Sequence, residues 1–162
     1  MTSPRAKLLT SLFFLTFLGL VACSNLGAQP NLYSPEECPV TKASDPETRL
    51  YGPPDGLQVF ITNGGIWNEL PQSKEGGFGQ KVFWKYPGYS QTEEPIPAFI
   101  VTGEQLDGDG TFESPGPGTN AGASDLLGSA ILTGVEIPHA GCWQLTGQYR
   151  DSQLSFVVWV GD

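Results

Sequence analysis

The chain has 162 residues, a formal net charge of −9, 21 glycines and 14 prolines. The acidic balance excludes nucleic acid as a partner, since phosphates demand clustered Lys and Arg, and it argues against a charge-driven grip on anionic lipid headgroups. The length suits one domain with a real core, and so much Gly and Pro leaves little room for long helices.

The amino terminus carries Arg5 and Lys7 and no acid. An apolar run from Leu8 to Ala22 follows, interrupted by Thr10, Ser11, Thr16 and Gly19. A positive start, an apolar stretch and small residues at a cleavage point are the order of a secretory signal. The run is about fifteen residues, shorter than the roughly twenty a bilayer-spanning helix needs. It closes on Leu20-Val21-Ala22-Cys23, which resembles the bacterial lipobox. That resemblance implies a diacylglycerol thioether on Cys23, cleavage before it and acylation of the new amino terminus. Two or more acyl chains hold a protein stably where one holds it marginally. The expected layout is a signal peptide over 1–22, a tether over 23–37 and one domain over 38–162. The protein would sit at the cell membrane or outer membrane, facing the extracytoplasmic side. After cleavage six basic residues remain against seventeen acids, a net charge of −11.

With Cys23 taken by lipid, Cys38 and Cys142 are left in an oxidising compartment, where thiols tend to pair. A Cys38–Cys142 disulfide is expected; the alternative is two free buried thiols. Past the tether, the chain to about Gly56 is irregular, with Pro39, Pro46, Pro53 and Pro54. Leu57–Thr62 reads as a strand and Asn63-Gly64-Gly65 as a turn. Ile66–Leu70, Gln80–Tyr86 and Ala98–Leu106 are the next strands. Ser114–Ser124 reads as a Gly/Pro/Ser/Asn loop. Ser129–Ile137, Cys142–Tyr149 and Leu154–Val160 complete the set; Cys142–Tyr149 alternates well between apolar and polar positions, while Leu154–Val160 has Leu154, Phe156, Val158 and Val160 on one side and Val157 and Trp159 on the other. About seven short strands with turn-rich gaps point to an all-β antiparallel sandwich.

Pro138-His139-Ala140-Gly141-Cys142-Trp143-Gln144-Leu145 resembles the start of a late strand in immunoglobulin-like domains, with Trp143 in the core. Cys38-Pro39-Val40-Thr41, the segment from Gly141 to Gly147, Leu154–Val160 and Gly65-Ile66-Trp67 are together similar to a set of uncharacterised bacterial secreted proteins and lipoproteins. The resemblance implies a small all-β, immunoglobulin-like domain with paired cysteines and brings no activity with it.

Candidate chemistry is sparse. Nucleophilic catalysis needs a nucleophile beside a base. The single histidine, His139, reads as a turn residue, and a pocket joining it to a carboxylate would point to an enzyme. No cofactor motif occurs. Cys38, Cys142 and His139 could offer three zinc ligands, but disulfide pairing accounts for the cysteines. Asp107, Asp109 and Glu113 place oxygens at alternating positions, as a calcium loop does, yet depart from the EF-hand pattern and read as solvated acids in a Gly-rich turn. Glu93 and Glu94 are adjacent before Pro95 and look solvated, a poor glycosidase pair. Lys81 and Lys85 read as a solvated strand face. Trp67, Phe83, Trp84, Tyr86, Tyr89 and Trp159 could stack on sugar rings or fill a core; Trp67 and Tyr89 are the candidate ligand-contacting aromatics, with Tyr89 the best placed in its loop. The expected function is a lipid-anchored envelope domain with a structural or binding role. Its partner would be an envelope protein or polymer, the alternative being a carbohydrate-binding module using loop aromatics.

Overall fold

The computed structural model describes residues 36–114, 116–124 and 128–161; the expected signal peptide, Cys23 and nearly all of the tether lie outside the described residues. The described strands are β1 (Leu50–Tyr51), β2 (Gln58–Phe60), β3 (Ile66–Trp67), β4 (Phe78–Lys85), β5 (Phe99–Gln105), β6 (Thr111–Glu113), β7 (Thr119–Ser124), β8 (Gly128–Ile137), β9 (Gly141–Tyr149) and β10 (Ser152–Val160). A 3-10 turn spans Thr62–Gly65, where Asn63 (φ 49°) and Gly64 (φ 64°) supply the left-handed backbone that the Asn-Gly-Gly sequence suits.

One sheet has the order β1-β2-β4-β8-β7 and the other β3-β10-β9-β5-β6. All pairings are antiparallel except β3 with β10. The protein is thus an all-β sandwich. β2, β4, β8 and β7 stand where an immunoglobulin domain has its A, B, E and D strands, and β5, β9 and β10 where it has C, F and G. Seven expected strand runs overlap β2, β3, β4, β5, β8, β9 and β10; β1, β6 and β7 are additional. Ser114–Ser124 is therefore not all loop. Its second half is strand β7, recruited by the long edge of β8 despite a register shift between Asn120 and Ala123. Nothing in Thr119–Ser124 alternates or is bulky, so tertiary pairing overrides weak local propensity.

Inward-facing positions fill the space between the sheets. Trp84 is central, with ring centroids 4.8 Å from Phe99 and 5.6 Å from Phe156. Its indole N–H donates to the hydroxyl of Thr133 at 3.0 Å, so the buried polar atom of each satisfies the other. A Cβ at Gly147 would stand 2.3 Å from the Trp84 ring, which is why β9 carries glycine there. Trp143 packs against Phe112 with centroids 5.6 Å apart, and its indole donates to the His139 carbonyl at 3.0 Å. This bond back across the β8–β9 turn echoes the tyrosine corner of immunoglobulin domains, with an indole in place of the phenol.

Cys38 and Cys142 form a disulfide with Cα atoms 5.6 Å apart. It lies outside the intersheet core, on the outer face of the second sheet, where Trp159, Val40, Ile66 and Val157 pack around it. Residues 38–41 run against β10: Thr41 N–H donates to the Val157 carbonyl at 2.9 Å and Val157 N–H to the Thr41 hydroxyl at 2.8 Å. Gly65 (φ 82°) permits this closure, since a Cβ there would stand 2.3 Å from Val40.

Candidate functional site

The β4–β5 loop and the β9–β10 turn meet at one end of the sandwich and are tied by Glu94. Its carboxylate accepts from the Tyr149 hydroxyl at 2.5 Å and from the Arg150 guanidinium at 2.8 Å. The Tyr89 hydroxyl donates to the Glu94 carbonyl at 3.2 Å. Arg150 lies over the rings of Tyr149 and Tyr86 at 4.9 and 5.9 Å. The Tyr149 bond, with help from Arg150, holds the Glu94 carboxyl below its ordinary range. Burial first, then the bond to Glu94, pushes the Tyr149 phenol well up. Arg150 adopts φ 53° at the first position of a two-residue hairpin, a site that favours Gly or Asn. Its contacts offset that local strain. The loop is therefore braced against the turn through one Glu94 carboxylate oxygen and its carbonyl. The adjacency of Glu93 and Glu94 could not reveal this, because Glu94's partners lie 55 and 56 residues away.

The candidate aromatics are corrected by burial. Trp67 is 2% exposed and Tyr89 6%; Trp67 donates to the Thr62 carbonyl at 3.2 Å, and Tyr89 packs edge-on against Tyr149 at 6.2 Å. Trp84 and Trp159 are buried as well. No row of exposed rings stands ready for sugar stacking among these residues. The loop's exposed apolar residue is Ile96, not Tyr89.

His139 is exposed and lines a hollow of about 340 Å³ with Glu75, Glu113 and Glu136. Among the described residues no hydrogen bond or ion pair joins its imidazole to a carboxylate, and no group of three His, Cys, Asp or Glu side chains is placed to hold a metal ion. What the fold uses is its carbonyl, which receives Trp143. Asp107 is engaged elsewhere: its carboxylate accepts the Cys142 N–H at 3.1 Å and lies beside Gly141, where a Cβ would stand 2.8 Å from it. Asp107 therefore secures the β8–β9 turn.

The outer face of the second sheet is divided. One part is covered by residues 38–41. The other is open, with a shallow hollow of about 610 Å³ lined by Thr102, Glu104, Glu113, Gln144, Thr146 and Ser155 among others. Register places Glu113, Thr102, Thr146 and Ser155 in one row across four strands, and Thr146 and Ser155 share a hydrogen bond at 2.8 Å. Strand alternation alone could have marked Gln144, Thr146 and Gln148 as outward, but not that the strand order joins them to Glu104 and Glu113.

Comparison with protein families, with curated proteins and with solved structures finds no match to this chain.

Proposed function

We propose that this is a lipid-anchored envelope domain with a binding or structural role, held to the cell membrane or outer membrane through acyl chains on Cys23 and facing the extracytoplasmic side. The carrying observation is the order of the first 23 residues: Arg5 and Lys7, an apolar run too short to span a bilayer, then Leu20-Val21-Ala22-Cys23. Two features support the reading. The buried Cys38–Cys142 bridge is the kind of cross-link that persists in oxidising compartments. And an open polar face of the second sheet is available to an envelope protein or polymer. Trp67 and Tyr89 belong to the core and offer no ring for sugar stacking.

The test is a Cys23→Ser variant, followed by fractionation and metabolic labelling with fatty acid. The wild type is expected in the membrane fraction with label, and the variant in neither. A variant that remains membrane-bound sinks the proposal.

A further inference from the structure

The two outer faces of the sandwich differ in charge. Of the six basic residues beyond Cys23, Arg49, Lys81 and Lys85 lie on the outer face of the β1-β2-β4-β8-β7 sheet. Lys81 and Lys85 alternate with the buried Val82 and Trp84 along β4, so with Phe83 they point outward. Phe83 stands opposite Leu132 on β8, and Phe60 on β2 continues the same row. The Arg49 guanidinium sits 5.4 Å from the centre of the Phe60 ring. Beside Lys81, Gly134 leaves open space. Glu136 is the only acid in these strands, and none of the three cations is ion-paired to a described residue. Asp45 bridges to Leu50 at the edge of β1, in the turn that carries Arg49, so the positive charge of this face is concentrated along β4, at Lys81 and Lys85, beside a half-buried apolar row.

The opposite face is its complement. Strands β5, β6, β9 and β10 contain no Lys or Arg. Glu104 and Glu113 project from it among the Thr, Gln and Ser rows, and Ile100, 46% exposed, supplies an apolar contact. Lys42 stands with the segment that covers the β3–β10 part of this face, so the complement lies in its open part, where the strands carry Glu104 and Glu113 and no cation.

We infer that the occupant of each face is the other face of a second copy of this chain. The two surfaces lie on opposite sides of a two-layer sandwich, so they cannot meet within one molecule. A contact between unlike surfaces is heterologous and repeats, giving rows of copies instead of a closed dimer. Opposite charges within a screening length of about 10 Å at 0.1 M salt set the register. The association does not depend on the lipid anchor. Where Cys23 is acylated, confinement to a surface raises the effective concentration of neighbouring copies.

A zero-length carbodiimide, which joins an amine to a carboxylate in direct contact, tests this on the purified, fully processed protein at high concentration and low salt. The expected result is a ladder of dimers and higher species, with peptide mapping linking Lys81 or Lys85 to Glu104 or Glu113, and loss of the ladder in 1 M salt, where the screening length is about 3 Å. Lys81→Glu with Lys85→Glu should abolish the ladder, as should Glu104→Lys with Glu113→Lys, while mixing the two variants restores it. Unchanged melting temperatures check that these surface variants fold. Monomer alone, links mapping to other residues, or a ladder that survives either charge reversal overturns the inference. So does failure of the mixture to restore it.

Discussion

Removing the Cys38–Cys142 bridge should cost the domain a large share of its stability while sparing its core. The bridge closes a loop of 104 residues. With that loop length, the chain-entropy relation gives about 4.7 kcal/mol at 25 °C, against the 5–15 kcal/mol typical of a whole domain. The loss enters through the denatured chain, because the intersheet cluster around Trp84 touches neither sulfur. The double variant Cys38→Ala, Cys142→Ala should therefore retain the near-ultraviolet signature of packed Trp84 and Trp143. Its denaturant midpoint should fall, and its slope should rise as the unfolded chain expands. Hydrogen exchange should quicken first at Thr41 and Val157, the backbone contacts that the bridge pins. A stability loss under 1 kcal/mol would refute the reasoning. So would collapse of the Trp84 environment, since that would place the bridge in the core and not outside it.

Three further outcomes follow from the packing. Gly147→Ala drives a methyl into the enclosed Trp84 ring and should cost about 1–3 kcal/mol, as overpacking does; thermal melting measures it. Thr133→Val removes the acceptor of the Trp84 indole and should cost about 1–3 kcal/mol for a buried donor left unmade, with a shift in tryptophan fluorescence. Glu94 gives a pH signature. Its carboxyl is held low in the folded state, chiefly by Tyr149, so its contribution is present above the unfolded-state value of about 4.5 and fades as pH falls through the lower folded value. The stability difference between wild type and Glu94→Gln should thus be constant near neutrality and shrink below about pH 4.5. A gap that widens on acidification would reverse the assignment.

Much of the fold was legible because β9 alternates, β10 is a short apolar, β-branched and aromatic run, and the Gly, Pro and Asn turns punctuate the chain. β7 was hidden: Thr119–Ser124 has small residues only, and the edge of β8 makes it a strand. β1 and β6 are too short to show a period. The disulfide followed from counting cysteines, but its position outside the sheets depends on Gly65 letting Val40 close over β10, which spacing does not encode. The candidate site was read less well. Tyr89 sits among Pro, Gly and Ser, the company of an exposed loop, yet Tyr149 and Glu94 draw it inward from distant sequence. Lys81 and Lys85 were visible as one strand face; their relation to Arg49 and to Phe60 requires the strand order.

The most direct test of the anchoring proposal is the mass of the amino-terminal peptide of the protein recovered from its cells. The expected peptide begins at Cys23 and carries the diacylglyceryl thioether with an acylated amine. A peptide that begins elsewhere, or one in which Cys23 bears a free thiol, would contradict it.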